Sequence, residues 1–321
     1  MFVNPKLTFM CVTYNRVKML RNLLLSFSLA NNGYDNFEWL ILEHDTTDGT
    51  VDFLKNIHKD PLFDCLEGKI KVFYDTDKEY LEFLDSKGID VSTNKKKACS
   101  FFGKFRNDLI SHAQGDILID FPDDHQFTYR GNFCQEIVDI FNDRIQGTGR
   151  DDIGTLTFRT RFLYRILKKS NAVDPVVITK NGVEYYVVNT NNSRDDWGAM
   201  SRENFEKMGG YSQLENENDE IIEMWNNPPD GFLYFYHHLT MSEKTRKLGL
   251  KKLMTKIPIV NDCLDNKYDI RAIKDPSKPV FPILKDRDIL SFAMNKMNRC
   301  LAISEYESLL EKLGPEHYEN F

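Results

Sequence analysis

The sequence predicts an α/β protein: a mainly parallel sheet flanked by helices, with a helical C-terminal extension. Three segments carry that prediction. In each, a short apolar run breaks into a polar loop and then into an amphipathic stretch, the pattern of strand, loop and helix. The first is Leu7–Val12, ending in Thr13-Tyr14-Asn15-Arg16 and followed by Met19, Leu20, Leu23, Leu24 and Phe27 at helical spacing. The second is Trp39–Leu42, ending in Glu43-His44-Asp45-Thr46-Thr47-Asp48-Gly49-Thr50, with Thr and Asp available to cap a helix from Val51. In the third, a helix ends at Gly115, and the strand that follows runs through Asp120 into Pro122-Asp123-Asp124-His125. Strands alternating with helices imply parallel pairing. In such open sheets ligands bind just outside the carboxyl ends of the strands. An acidic loop there suits neutral donors such as a uracil N–H or ribose hydroxyls; its plainer role is to cap a βα turn.

The remaining elements follow in order. Ile70–Tyr74 reads as the third strand, and residues 75–104, polar and broken, as an insertion over the site. Within it Lys95-Lys96-Lys97 is either a solvated loop or, with Lys104 and Arg106, a local basic patch. From Gly131 an amphipathic helix (Phe133, Ile137, Ile140, Phe141) leads to Gly147-Thr148-Gly149, a turn rather than a phosphate loop because the glycines are isolated. Residues 155–165 set Leu156, Phe158, Phe162 and Tyr164 against Arg159, Arg161 and Arg165, as expected of a half-buried strand. Its basic face meets solvent, or an anionic acceptor or diphosphate. Val183–Thr190 is another strand. Beyond Lys244 the chain is basic, then broken by Pro258, Pro276, Pro279 and Pro282, then helical (Ile289, Phe292, Ala293, Met297, Leu301; Tyr306, Leu309, Leu310, Leu313). These helices pack on the domain or join copies in a homo-oligomer. The chain accordingly divides at 1–130, 131–243 and 244–321.

Composition narrows the function. The 321 residues, 41% of them hydrophobic, suffice for one large α/β domain or two small ones. A net charge of −7 argues against nucleic-acid binding by bulk attraction. The six cysteines (11, 65, 99, 134, 263 and 300) show no C-x-x-C spacing and sit mostly among apolar residues, which predicts free thiols in a reducing, cytoplasmic setting. Residues 1–6 lead straight into an apolar strand, and no apolar run approaches a membrane span, so a soluble protein without a secretory leader is expected.

The three polar strand ends, taken with Phe105-Arg106-Asn107-Asp108 and Ala113-Gln114-Gly115-Asp116, resemble the family-two-like glycosyltransferases of the GT-A fold. Those enzymes show a V-x-x-Y/F-N-R-like first strand end, a D-D-G-S-T-D-G-T-like second, and an A-R-N…A-x-G-D stretch leading into an Asp-x-Asp metal motif. Thr13–Arg16, Glu43–Thr50, Arg106-Asn107 and Gly115-Asp116 match in order and spacing, over roughly residues 7–130. This chain departs in having Glu43-His44 where the family has two Asp residues, and Pro122 at the first metal-motif Asp.

The resemblance implies transfer of a sugar from a nucleotide-sugar donor, UDP-linked by preference, to an acceptor hydroxyl with inversion. The acceptor is a glycan, a lipid-linked sugar, a protein or a modified nucleobase. Thr13, Tyr14, Arg16, Glu43 or Asp45, and Arg106 would frame the nucleoside. Asp123 and Asp124 would hold Mn²⁺ or Mg²⁺ through hard oxygen ligands, and Trp197 would face a sugar ring. His125 could also ligate, favouring manganese. Asp195-Asp196-Trp197-Gly198, Gly209-Gly210-Tyr211 and Asn216-Glu217-Asn218-Asp219-Glu220 resemble the family's acceptor side and its Glu-Asp base motif. One register makes the base position Asn218, which cannot accept a proton. Shifting by one selects Asp219, with Glu217 in reserve; alternatively these acids only cap a helix. Phe235–Leu239 reads as an aromatic strand carrying His237 and His238, either core residues or a third metal ligand, at most one of the two because neighbours on a strand face opposite ways. Two rival classes stay open. A nucleotidyltransferase would need a G-x-G-T-R-type first loop, absent here, whereas Pro122 and Asn218 keep a donor-binding protein without turnover in play.

Overall fold

The computed structural model describes residues 4–31, 33–75, 78–127, 133–142, 153–158, 173–180, 183–188, 198–229, 232–255, 260–262, 283–284 and 318–319. Its strands are β1 (Leu7–Thr13), β2 (Phe37–His44), β3 (Ile70–Asp75), β4 (Ile117–Asp120), β5 (His125–Phe127), β6 (Ile153–Thr157), β7 (Val173–Lys180), β8 (Val183–Val188), β9 (Gly198–Ser201), β10 (Lys251–Thr255), β11 (Val260–Asp262), β12 (Ile283–Leu284) and β13 (Tyr318–Glu319). The helices are α1 (Val17–Ala30), α2 (Thr50–Asn56), α3 (Lys78–Ser86), α4 (Asn94–His112), α5 (Phe133–Asn142), α6 (Arg202–Lys207), α7 (Asp219–Asn226) and α8 (Phe232–Lys247).

Nine of the strands form one sheet in the order β3-β2-β1-β4-β9-β6-β10-β8-β7. Its N-terminal half, β3 through β4, is parallel throughout. Beyond it β9 runs antiparallel between β4 and β6, and β10 is parallel to β6 but antiparallel to β8. The α/β class expected from the sequence is the class observed.

Strand β1 shows why three layers form. A strand presents alternate residues to opposite faces, and here both faces are apolar. Phe9 and Cys11 join Phe37, Trp39 and Ile41 of β2 and Ile117 and Ile119 of β4 in a core covered by α1 and α5. Met10, with Leu40, Leu42 and Leu118, faces a second core built from α3, α4, α6, α7 and α8. Near-continuous apolar runs are what a doubly covered parallel sheet requires. Gly115 lets the α4–β4 turn close against β1: a Cβ there would lie 2.5 Å from the Thr8 hydroxyl and 2.7 Å from the Thr8 nitrogen. Gly198 is fixed by its φ of +148° and by the Leu156 carbonyl, 2.0 Å from where a Cβ would sit.

Three sequence expectations change here. Residues 78–86 form a helix and the expected helix before Gly115 begins already at Asn94, where residues 75–104 were expected to be a broken insertion; their apolar positions Tyr80, Leu84, Phe101, Phe105 and Leu109 fill the second core. Lys96 is neither solvated nor in a patch: it is buried, pairs with Asp90 at 2.6 Å and donates to the Asn226 carbonyl at 2.8 Å, tying α4 to the end of α7. The described part of the 155–165 segment is buried on both faces, Thr155 and Thr157 included, because β6 is an interior strand. Arg159, Arg161 and Arg165, the Gly147–Gly149 turn and the helical repeats of 289–313 lie outside the described residues.

The start of the sheet is locked by one buried carboxylate. Glu38 on β2 accepts from the Thr8 hydroxyl (2.8 Å), the Gln114 amide (2.6 Å), Lys6 (3.2 Å) and Lys71 (2.9 Å). Burial alone would raise its pKa, but Lys71, the Gln114 amide, Thr8 and Lys6 together hold it below the usual glutamate value. A carboxyl with a lowered native pKa stabilises the fold above its unfolded value, about 4.3, and that contribution fades as pH falls through the native value. We expect Glu38→Gln to cost about 1.5–3 kcal/mol at pH 7, as for hydrogen bonds to a charged group. In urea titrations from pH 7 to 3 the gap to the natural chain should narrow as pH falls; a gap independent of pH would refute this assignment.

Candidate functional site

The chain reverses its direction of travel across the sheet between β1 and β4, since β2 and β3 lie on one side of β1 and β4 on the other. That is the topological switch point, where the loops after two neighbouring strands part and leave a crevice. Thr13–Arg16 leave β1 there and Asp120–His125 leave β4.

The loops after β1 and β2 hold each other. Asn15 and Asp45 have φ of 49° and 46°, a left-handed conformation that Asn and Asp tolerate better than most residues. The Asn15 side chain accepts from the Thr47 amide at 2.8 Å, and Asp48 accepts from the Val17 amide at 2.8 Å and the Thr50 hydroxyl at 2.6 Å. Glu43 is buried and accepts from the Thr46 amide at 2.6 Å, so it shapes its own loop, whereas Asp45 and Tyr14 are exposed. The Tyr14 ring lies 5.6 Å from the His44 ring, which in turn rests 5.0 Å from both Phe101 and Phe105.

The loop after β4 carries the charge. Asp123 is buried; it accepts from the Thr13 hydroxyl at 2.9 Å through one oxygen and from Arg16 Nη1 at 2.8 Å through the other. The same Arg16 nitrogen is 3.2 Å from Asp124 Oδ2, and His125 Nδ1 is 3.1 Å from Asp124 Oδ1. Burial, opposed by Arg16 and reinforced by the charge of Asp124, pushes the Asp123 carboxyl up to about 6. Asp124 moves the other way: burial works against its charge, but the His125 bond and the nearby Arg16 outweigh it. The field of these acids reaches Cys11 beneath them, whose thiol is raised by burial and then by Asp123 and Asp120.

Arg106, which the resemblance sets beside the nucleotide, is engaged by the protein itself. It is buried, with Nε 2.5 Å from Asp120 Oδ2 and its guanidinium 3.6 Å from the Phe102 ring centroid. Tyr211 also donates to Asp120 Oδ2, at 3.2 Å, and Asn107 exchanges two 2.9 Å bonds with the Tyr211 backbone. Asp120 Oδ1 is buried and has no partner among the described residues. This network fastens the Gly209-Gly210-Tyr211 turn to α4 and to the floor of the crevice. Asp120 was missed as a functional residue, though a lone carboxylate inside an apolar strand always demands a partner.

Beyond that turn, Asn218 caps α7 by accepting from the Ile221 amide at 3.0 Å, and Asp219 stands exposed in its first turn. Glu217 is half-buried and accepts from the Tyr236 hydroxyl at 2.5 Å; Glu215 accepts from Tyr80 at 2.7 Å. Burial, then the bond to Glu217, raises the Tyr236 pKa far above its usual value. His237 and His238 require a correction: residues 232–247 form helix α8, not a strand. Aromatic strand-like residues were overridden by packing that buries Tyr236 and Met241 against the second core. The argument from opposite strand faces therefore lapses. The side chains of His237 and His238, and all of Asp195, Asp196 and Trp197, lie outside the described residues.

No group of three or more potential metal-ligating side chains gathers among the described residues. The donor chemistry of Asp123 and Asp124 nonetheless fits a hard divalent ion: two adjacent carboxylates that already draw a cation, Arg16, between them. The four free cysteines described are Cys11 and Cys134, buried, Cys99, partly buried, and Cys65, exposed. No described helix is long and apolar enough to cross a membrane.

No family model matches the chain, and no curated protein matches it significantly. Solved structures do. The mannosyltransferase PcManGT from Pyrobaculum calidifontis, in complex with GDP-Man and Mn²⁺, is 14% identical, with 96% of this chain and 68% of that chain covered at a TM-score of 0.49. S. aureus TarS residues 1–349, in complex with UDP-GlcNAc, is 13% identical, with 96% and 71% covered and the same TM-score of 0.49. The likeness is one of fold. Against the longer S. aureus TarS structure, the match covers 81% of this chain and 37% of that one.

The buried pair at the crevice floor gives a stability prediction. Asp120→Asn leaves Arg106 buried without its counter-charge and should cost about 3–5 kcal/mol, the usual penalty for breaking a buried ion pair. Equilibrium denaturation would measure it; a loss under 1 kcal/mol, small beside that penalty, would show the pair to be expendable.

Proposed function

We propose that this chain is a glycosyltransferase that moves a sugar from a nucleoside-diphosphate donor to an acceptor hydroxyl. One observation carries the reading. The Thr13–Asp123–Arg16–Asp124–His125 cluster places two carboxylates and a guanidinium in the crevice at the switch point, where a ligand with a diphosphate would lie. Tyr14 and Asp45, exposed on the neighbouring loops, flank the nucleoside, with the Asp45 carboxylate able to accept from a uracil N–H or a ribose hydroxyl. A UDP-linked donor is therefore the preferred substrate. Asp123 and Asp124 would hold Mn²⁺ or Mg²⁺, which when bound neutralises charge on the departing nucleotide. His125, bonded to Asp124, holds that carboxylate in place and need not ligate. Arg106 supports the floor through Asp120 and does not touch the donor.

The proton acceptor for the incoming hydroxyl is Glu217. A general base must be ionised and aimed. Tyr236 fixes one Glu217 oxygen at 2.5 Å and leaves the other to face an acceptor, whereas exposed Asp219 has no such restraint. The sequence argument had favoured Asp219, because an anion is stabilised at a helix N-terminus. Attack on the face opposite the nucleotide would invert the sugar carbon. The free thiols suit a reducing, cytoplasmic setting.

Two experiments test this. A thermal-shift panel of UDP, GDP and their sugars, with and without Mn²⁺, should show UDP raising the melting temperature in Mn²⁺; a ligand at a hundred times its Kd adds about 2.7 kcal/mol of apparent stability. Asp124→Ala should remove the Mn²⁺-dependent part, and no stabilisation by any nucleotide would end the reading. With an acceptor in hand, Glu217→Gln should lower transfer by about 10²–10⁴-fold at unchanged donor affinity. If Asp219→Asn is instead the silent variant, the base is Asp219.

A further inference from the structure

Arg16 and the acid pair raise a question of electrostatics. A divalent ion at Asp123 and Asp124 would have to sit among oxygens that are already engaged: Asp123 with Thr13 and Arg16, Asp124 with Arg16 and His125. Both carboxylates are substantially removed from water, with side-chain exposures of 6% and 16%. Two such acids, side by side and without a counter-charge, would repel one another at a heavy desolvation cost. The Arg16 nitrogen within 3.2 Å of both relieves that repulsion. It does so from the N-cap of α1, with a third of its side chain exposed. Each carboxylate also has a partner other than the guanidinium, Thr13 for Asp123 and His125 for Asp124, so both stay held if Arg16 turns to a stronger anion.

We propose that Arg16 is a resident cation that guards the acid pair in the free protein and is exchanged for the divalent ion when donor binds. The inference rests on the reading of Asp123 and Asp124 as the metal-holding pair, and adds the residue that controls access to them. The exchange balances in charge. A doubly charged ion replaces a single positive charge between the two carboxylates. The released guanidinium then meets the donor diphosphate, for which a planar fork of donors is the better-matched partner. Metal and nucleotide thus bind cooperatively: each helps to remove Arg16 from the site the other needs, and such coupling is reciprocal. A metal ion alone binds weakly, because it must displace Arg16 into water with no anion to receive it.

The test is made on the whole chain with Mn²⁺ alone, following the loss of the free aqueous Mn²⁺ paramagnetic resonance signal, and with UDP by calorimetry. Arg16→Gln removes the charge, and Arg16→Lys keeps the charge but not the fork. Without nucleotide, Mn²⁺ affinity should rise in the order natural chain, Arg16→Lys, Arg16→Gln. The last should gain at least about tenfold, since an opposite charge at this distance shifts carboxylate equilibria by one to three decades. In saturating Mn²⁺, UDP should bind Arg16→Gln about tenfold or more weakly than it binds the natural chain, the scale of a lost charge-assisted contact. Melting curves of both variants establish that they fold, and if Gln fails to fold, Lys against the natural chain still decides the order. Equal or weaker Mn²⁺ binding by the variants, with Mn²⁺-dependent UDP binding intact in the natural chain, overturns the exchange and leaves the proposed function standing. If the natural chain binds UDP equally well in EDTA and in Mn²⁺, the metal reading itself falls, and the exchange with it.

Discussion

A carboxylate removed from water must meet a cation or several hydrogen-bond donors, or it will not stay ionised. Strand β4 and the turn after it bring three carboxylates, Asp120, Asp123 and Asp124, to the middle of the sheet. Much of the architecture around the crevice answers that requirement. Arg106 reaches Asp120 because α4 runs alongside β1 and β2 and Phe102 supports its guanidinium. Thr13 and Arg16 reach Asp123 because β1 and β4 are paired in register from Leu7 to Met10, and β1 runs on past the end of β4 to set Thr13 beside the turn that carries Asp123. The packing of apolar residues sets the strands side by side; the acids determine which polar side chains must stand at their ends.

The same requirement explains what was legible in the sequence. Strand ends announced themselves, since Leu-Ile-Leu followed by Glu-His-Asp, or Ile-Leu-Ile by Asp-Phe-Pro-Asp-Asp, is a change of environment written in side-chain polarity. The positions of β1, β2, β3 and β4 followed; the direct bonds of Thr13 and Arg16 to Asp123 did not. The partner of each charge was not legible, because that depends on contacts between residues far apart in the chain. Arg106 looked like a ligand for an anion and proved to be the ligand of Asp120, fourteen residues on. Lys96 looked solvated because its neighbours Lys95 and Lys97 are exposed, yet one turn of helix directs it to Asp90 and the Asn226 carbonyl.

Two of the three misread helices, α4 and α8, have a common cause. Residues 94–112 and 232–247 both mix aromatic and polar residues without a clean apolar stripe, and neither looks amphipathic in isolation. Each is wedged among other helices on the second face of the sheet, where Phe101, Phe105, Trp225 and Tyr236 pack together. Burial from several sides erases the single-face periodicity on which a helix is recognised. The consequence for function is direct. Because α8 is a helix, Tyr236 comes within 2.5 Å of Glu217, and Lys244, two turns further along, donates to the Gly210 carbonyl at 2.7 Å. The Gly209-Gly210 turn and the Glu217 carboxylate are both fastened to that one element.

Glu38 and Asp123 are two buried acids whose charges are met in different ways. Both are buried, and both accept from a threonine on β1 and from a cationic side chain. Glu38 has two lysines, a hydroxyl and an amide around it, and together they hold its carboxyl below the usual value despite its burial. Asp123 shares its guanidinium with Asp124, and burial lifts it to about 6. At the start of the sheet one carboxylate meets four donors, two of them cationic. At the switch point two carboxylates share one guanidinium, so a more highly charged ion would gain a great deal.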